Sequence, residues 1–164
     1  AFVVDNNRKP HLASELGVQF NLSHSANRAL IGVCREAAIG VDIEKVRKRA
    51  RLADIAGRFF SAAEQAALAD YADGADYRGA FYRIWTRKEA VIKATGEGLS
   101  AVLDAFDVAA GQTATLLADR NPGRSAADWQ LAHVAAGGDY VGAIAVRTPH
   151  PITIEYLDDW RQAA

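Results

Sequence analysis

The stretch from 81 to 94, Phe-Tyr-Arg-Ile-Trp-Thr-Arg-Lys-Glu-Ala-Val-Ile-Lys-Ala, contains no glycine or proline and is followed by Thr95-Gly96. A run of this length without a breaker predicts one long helix, and Gly96 suits the left-handed position just past its end. At about 3.6 residues per turn, Trp85, Glu89, Ile92 and Lys93 fall along one side, with Lys88 close to it. That side mixes apolar anchors with a carboxylate and an ammonium, a mixture that an ordinary core-facing stripe avoids. The plainer reading is a surface helix with a Glu–Lys pair one turn apart, worth about 0.2–0.5 kcal/mol.

The rest of the chain supplies strands on either side of a helical middle. Phe2-Val3-Val4 is a strand candidate turned by Asp5-Asn6-Asn7, and Arg8-Lys9-Pro10 puts two cations before a residue that bars a helix. Val18-Gln19-Phe20-Asn21-Leu22 alternates as a half-buried strand and opens into Ser23-His24-Ser25. Residues 29–34 are nearly all apolar, which predicts a central strand. In 39–44, Ile39, Val41 and Ile43 face one way, so Asp42 and Glu44 share the other. Lys45, Arg47, Lys48, Arg49 and Arg51 form a basic run, read as a solvated linker that could also steer acidic partners. Helices are expected at 52–60 and from Ser61 to about Tyr71, the second opened by a Ser61–Glu64 capping box. Asp73-Gly74 breaks the chain before the long helix, from about 77. Further strands are expected at 105–109, 113–117, 129–135, 140–146 and 152–157, with turns at Asn121-Pro122-Gly123 and Gly137-Gly138-Asp139. The fold class is therefore α+β, an antiparallel sheet with helices grouped mid-sequence.

With 164 residues, the chain suits one domain or two small lobes sharing a core. A net charge of −1 gives no general attraction to nucleic acid or to an anionic membrane. No apolar run approaches the roughly 20 residues of a bilayer span. The single cysteine, Cys34, excludes an internal disulfide and reads as a buried reduced thiol of a cytoplasmic protein. The opening Ala-Phe-Val-Val reads as strand without an initiator methionine, so a preceding segment is expected.

Two carboxylates at alternate strand positions, with a third from a helix, suit a hard divalent cation such as Mg²⁺, which takes oxygen ligands and is commonly shared with substrate phosphates. Asp42, Glu44 and Glu89 could supply that set, and their mutual repulsion itself favours a cation among them. Lys88, Lys93 and Lys9 would then face phosphate oxygens, with Ser23 and His24 free to hydrogen-bond a further phosphate. The combination points to a pyrophosphate compound. Neither a Walker A nor a Rossmann glycine fingerprint is present, and His11, His24, His133 and His150 are too scattered for zinc. Taken singly, each residue also has a plain structural reading: a loop histidine, polar positions on a one-sided strand, a turn lysine.

In order along the chain, Phe20-Asn21-Leu22-Ser23-His24-Ser25, then Ile39-Gly40-Val41-Asp42-Ile43-Glu44, then Arg58-Phe59-Phe60-Ser61 with Glu64, then Trp85-Thr86-Arg87-Lys88-Glu89-Ala90-Val91-Ile92-Lys93 resemble the 4′-phosphopantetheinyl transferases. Gly96-Glu97-Gly98-Leu99-Ser100 continues the match. The co-occurrence of G-x-D-x-E with W-x-x-K-E-x-x-x-K is specific. Because Ser23-His24 precedes Asp42, the motif order resembles the fused, two-lobed surfactin-synthetase-activating type rather than the small holo-acyl-carrier-protein-synthase type. The resemblance implies an antiparallel sheet packed against a long helix. Residues 1–34 would form the end of an N-terminal lobe and crossover strands, and 35–164 a complete C-terminal lobe related to it by a pseudo-twofold. Most of the first lobe would be absent from these residues, which leaves open a fragment, a chain whose first part was lost, or a subunit that completes its cleft by pairing with the missing lobe or a second subunit.

The resemblance further implies transfer of phosphopantetheine from coenzyme A to a serine of an acyl or peptidyl carrier protein, releasing adenosine 3′,5′-bisphosphate. Asp42, Glu44 and Glu89 would hold Mg²⁺, with Mn²⁺ possible. Glu89 would also be the base for the carrier serine, and Lys93 would neutralise charge on the leaving phosphate. Lys88 would contact the phosphates or pantetheine, and Lys9, Ser23 and His24 the nucleotide end. Two departures stand out: Arg8 occupies the position of the usual Gly before Lys-Pro, and Glu97 replaces a frequently basic residue. Two other readings stay open, a non-catalytic lobe that binds coenzyme A or carrier protein, and a Mg²⁺-dependent pyrophosphate hydrolase.

Overall fold

The breaker-free stretch 81–94 lies within α3 (Ala75–Thr95), which buries residues on most sides between Ala80 and Ala94. The computed structural model describes residues 2–4, 9–12, 17–48, 51–71, 74–98 and 102–157. The expectations placed on Asp5-Asn6-Asn7, Arg8, Arg49, Asp73 and Leu99-Ser100 lie outside the described residues. In chain order the strands and helices are β1 (Phe2–Val4), β2 (Pro10–Leu12), β3 (Val18–Ser25), β4 (Arg28–Arg35), β5 (Ile39–Lys45), α1 (Leu52–Phe59), α2 (Ala62–Ala69), α3, β6 (Phe106–Val108), β7 (Leu116–Asp119), β8 (Trp129–Val134) and β9 (Tyr140–Arg147). The class is α+β, as expected, and all strand pairs are antiparallel. Among the described residues no helix is long and apolar enough to cross a membrane.

β5, β9 and β8 form a three-stranded sheet in that order, with Asp42 opposite Ala143 and Glu44 opposite Val141. One face of this sheet lies against α3, where Ala143 and Ala145 join Ala80, Ile84, Ala90, Val91 and Ala94 in the core. α1 and α2 close the far side through Leu52, Ala56, Phe60 and Leu68. Phe60, Phe81 and Trp85 pack ring against ring there, the last two stacked at 6.1 Å. Local chemistry sets the helix ends. The Ser61 hydroxyl accepts from the Glu64 amide while the Glu64 carboxylate accepts from the Ser61 amide, the reciprocal box expected for α2. Gly96 caps α3 at φ 74°, the left-handed conformation that costs glycine nothing.

Gly40 decides how near the sheet comes to the helix. A Cβ at this position would lie 2.0 Å from the Ala90 carbonyl oxygen and 2.4 Å from the Ala94 amide nitrogen. Strand and helix backbones therefore touch here. Asp42 and Glu44, two and four residues on, share the face of β5 that Gly40 presents to α3. The opposite face, carrying Ile39 and Val41, lies beneath the β3–β4 hairpin at Gly32.

Several expectations are corrected. Residues 29–34 do not form a central strand: β4 is half of a two-stranded hairpin, and Ile31 and Val33 are 64% and 65% exposed. Only Gly32 is buried along it, because that is the position facing β5. Cys34 is half-buried rather than enclosed. Residues 152–157 form no strand; Ile152 and Ile154 are half-buried in a segment just after two prolines that pairs with no strand among the described residues. β2 was not anticipated, because Pro10 removes a donor and weakens any strand signal; it pairs with β1 at the start of that strand. The strands divide into four small sheets rather than one.

Gly40→Ala is expected to lower the free energy of unfolding in urea by about 1–3 kcal/mol, and the midpoint with it, since backbone rather than a flexible side chain blocks the added methyl. An unchanged midpoint would show that β5 and α3 separate without cost.

Candidate functional site

β5 and α3 bring four of the expected residues together. The Lys93 ammonium lies 2.6 Å from Asp42 Oδ1, an ion pair in which Asp42 is 6% and Lys93 28% exposed. Lys93 also donates to Ser23 Oγ at 3.0 Å, and the Ser23 hydroxyl donates to the same Asp42 oxygen at 2.8 Å. Glu44, one pleat along, accepts from the Ser25 hydroxyl at 2.8 Å. Burial pushes the Glu89 carboxyl above the ordinary carboxylate range; the Asp42 charge adds to the rise, Lys93 opposes it, and Glu44 raises it further. The three acids therefore share one electrostatic environment, centred on the flank of α3.

The fit of a divalent cation rests on what these oxygens leave unsatisfied. Asp42 Oδ2 is buried with no hydrogen-bond partner. A buried carboxylate oxygen without a donor costs free energy, and a hard cation is one group that relieves it. All the donors are oxygens, and burial together with the Asp42 and Glu44 charges disfavours the ionised Glu89 carboxyl, a penalty that a cation would offset. Among the described residues, however, no three His, Cys, Asp or Glu side chains stand close enough to form a ready-made cage. Lys93 occupies Asp42 Oδ1 instead. The carboxylates of Asp42, Glu44 and Glu89 are of the chemical type such an ion takes, and substrate oxygens would have to complete its shell.

The remaining candidates go elsewhere. Lys88 is a correction: its side chain is fully buried, and its ammonium donates to Glu64 Oε1 and to the Phe106 carbonyl, both at 2.7 Å. The reason is angular. Five residues separate Lys88 from Lys93, which turns them about 140° apart on a helix, whereas Glu89 and Lys93 differ by only about 40°. Burial lowers the Lys88 pKa, and Glu64 opposes that shift. Glu64 also accepts from the Val108 amide, so this pair joins α2, α3 and β6. Lys9 donates to the Ala94 carbonyl at 3.0 Å and to the Ile39 carbonyl at 3.4 Å, at the C-terminal end of α3. His24 is exposed on the opposite face of β3 from Ser23 and Ser25. Glu97 pairs with Arg124.

Two functional features escaped the sequence reading. Arg87 is buried and donates to the carbonyls of Ala109, Gly111 and Gln112, fixing the loop after β6. Burial, reinforced by Arg83, brings its pKa down to about 10. The second is Ser25, whose only signal was its place one pleat beyond Ser23. Beside Glu44 lies an apolar cavity of about 80 Å³ walled by Leu52, Ile55, Phe81, Tyr82 and Trp85. A larger cavity of about 420 Å³, at the α1–α2 junction near Arg58 and Arg120, contains none of the site carboxylates.

Comparison with known proteins gives a consistent result. A family model described as the 4′-phosphopantetheinyl transferase superfamily matches residues 38–145. The 4′-phosphopantetheinyl transferase HetI of Nostoc sp. is 35% identical over 148 residues, covering 88% of this chain and 60% of that protein. The 4′-phosphopantetheinyl transferase Sfp of Bacillus subtilis is 40% identical over 102 residues, 61% of this chain and 43% of its own length. AcpT of Escherichia coli, also a 4′-phosphopantetheinyl transferase, is 40% identical over 88 residues, 54% of this chain and 45% of that protein. The chain thus spans between 43% and 60% of the length of these relatives.

Lys88→Met leaves Glu64 buried without its cation and is expected to destabilise the fold by about 3–5 kcal/mol in denaturant unfolding. A change under 1 kcal/mol would mean that the pair behaves as an exposed one. Glu89→Gln should act oppositely in metal-free protein. Because the folded pKa of Glu89 is raised, its ionisation above the carboxylate range disfavours the fold. The variant should melt higher than the parent at neutral pH, with the gain vanishing below the unfolded carboxylate pKa; equal melting at neutral pH would contradict the penalty that burial and the acidic neighbours place on ionised Glu89.

Proposed function

The chain belongs to the 4′-phosphopantetheinyl transferase superfamily, and on that premise we propose that it takes part in transferring phosphopantetheine from coenzyme A to a serine of an acyl or peptidyl carrier protein. The observation that carries this reading is the convergence of Asp42, Glu44 and Glu89 on one flank of α3 with Lys93 among them. A pyrophosphate ester is the substrate class such a set serves, since it presents several negative oxygens to one cation and one ammonium. In this reading residues 1–34 belong to the end of one lobe and 35–164 to the other, and the setting is cytoplasmic.

Each residue has a defined part. Asp42, Glu44 and Glu89 would hold Mg²⁺, which would supply neutralisation of pyrophosphate charge and polarisation of the phosphoryl group. Glu89 takes the proton of the carrier serine as its oxygen bonds to the phosphorus of the pantetheine-bearing phosphate. Its raised pKa makes it a stronger base than a solvated carboxylate. The bond from that phosphorus to the bridging oxygen breaks, and adenosine 3′,5′-bisphosphate leaves with the electron pair. Lys93, paired with Asp42 in this structure, would face the charge gathering on the departing oxygen. In this reading Lys9 and His24 serve the nucleotide end, while Ser23 holds Asp42 and Lys93 in register.

The test is incubation with an apo carrier protein, coenzyme A and Mg²⁺, followed by intact mass. Gain of phosphopantetheine by the carrier, abolished by EDTA, is expected; coenzyme A cleavage without a carrier would favour hydrolysis instead. Glu89→Gln should lower the transfer rate by about 10²–10⁴-fold, the usual range for loss of a general base. Lys93→Ala should depress kcat more than coenzyme A affinity, because its charge is matched to the transition state. An affinity-only loss would contradict that role.

A further inference from the structure

β3 and β5 share no backbone ladder: β3 pairs with β4, and β5 with β9. Side chains bridge the gap instead. Asn21 Oδ1 accepts from the Val41 amide at 2.9 Å, Ser23 Oγ from the Ile43 amide at 3.3 Å and Ser25 Oγ from the Lys45 amide at 3.1 Å. The three are alternate residues on one face of β3, so their spacing matches every second amide of β5. This satisfies amides on the edge of β5 that β9 leaves unpaired.

The two serines do something that Asn21 does not. Each hydroxyl, while accepting from an amide of β5, donates its own proton to the carboxylate of the preceding residue: Ser23 to Asp42 at 2.8 Å and Ser25 to Glu44 at 2.8 Å. Opposite Asn21 the equivalent residue is Gly40, which has no carboxylate to hold. Accepting from the amide orients the hydroxyl so that its hydrogen points at the acid. Asp42 has a second anchor in Lys93, whereas Glu44 is held from β3 through Ser25. The end of the hairpin that carries Ser25 is itself tied down. Tyr140 donates to Asn27 at 2.6 Å, Arg28 donates to the Gly137 carbonyl at 2.9 Å, and its guanidinium lies 4.6 Å from the centre of the Tyr140 ring.

We propose that Ser25 is a positioning residue for Glu44, fixing one carboxylate oxygen so that the acid is presented in a single orientation to a divalent cation shared with Asp42 and Glu89. The proposal rests on the reading of that acidic set as a cation site. A carboxylate on a rotatable stem loses side-chain freedom when it ligates an ion, and a hydroxyl that has already restricted it removes part of that cost. The β3 seam is thus both the joint between the hairpin and the sheet and the outer support of the site.

The test is calorimetric titration of Mn²⁺ into the protein saturated with coenzyme A, for the parent, Ser25→Ala, Ser25→Thr and Glu44→Gln. Ser25→Ala is expected to weaken Mn²⁺ about 10-fold or more, the usual effect of removing an outer partner of a metal ligand. Coenzyme A affinity in EDTA should not change, and Ser25→Thr, which keeps the hydroxyl, should restore Mn²⁺ binding. Ser25→Cys preserves volume with a much weaker donor and gives the same reading if the alanine variant fails to fold. Parent-like Mn²⁺ affinity in Ser25→Ala or Ser25→Cys, alongside a loss in Glu44→Gln, overturns the role of Ser25 alone. Parent-like affinity in Glu44→Gln as well overturns the cation site on which it rests.

Discussion

The backbone contact between β5 and α3 at Gly40 sets every distance that matters in this molecule. A strand normally stands off a helix by the length of the side chains between them; here the Ala90 carbonyl and Ala94 amide leave no room for even a methyl. That approach lets carboxylates two and four residues further along the strand reach the flank of the helix that carries Glu89 and Lys93. The ion pair between Asp42 and Lys93 at 2.6 Å follows from it. So does the burial that, with the Asp42 and Glu44 charges, raises the Glu89 pKa. Like charges brought together in a half-buried site store free energy that a cation can release, and the fold, not the acids themselves, does the gathering.

The same helix separates support from chemistry by rotation. Lys88 and Arg87 turn inward, where Lys88 neutralises Glu64 and Arg87 gathers three carbonyls of the loop after β6. Glu89 and Lys93 turn toward β5. Adjacent charged residues thus take opposite tasks. The inward pair ties α2 and β6 to α3, so the outward pair projects from a helix with little freedom to rock. Buried cations are costly unless fully bonded, and here each finds its partners within the described residues.

Much of this was legible beforehand. α3, its glycine cap, the Ser61–Glu64 box and the strand bearing Asp42 and Glu44 all carry local signals that tertiary packing did not override. That Asp42 and Glu44 share a face of β5, and that Glu89 and Lys93 share a side of α3, was legible because alternation on a strand and one-turn spacing on a helix are geometric facts of the sequence. Lys88 was misjudged for a reason of the same kind: proximity in sequence to Glu89 stood in for an angle of about 100° between them. Glu64 could not reveal its partner, because a contact across 24 residues leaves no trace in local spacing. The apolar run of β4 promised burial, yet burial requires a covering layer, and only Gly32 has one. Ser25 was passed over since a hydroxyl that orients a carboxylate looks like any other strand serine until the strand beside it is known.

The account stands on Asp42, Glu44 and Glu89 acting as one cation site. The most direct measurement is a crystal structure of the protein with coenzyme A and Mn²⁺, using the anomalous scattering of the metal to locate it. A single peak within bonding distance of oxygens from all three carboxylates and from the pyrophosphate, with Lys93 turned from Asp42 to a phosphate oxygen, is the predicted result. A bound coenzyme A whose pyrophosphate lies away from these acids, with Lys93 still on Asp42 and no peak between them, would contradict it.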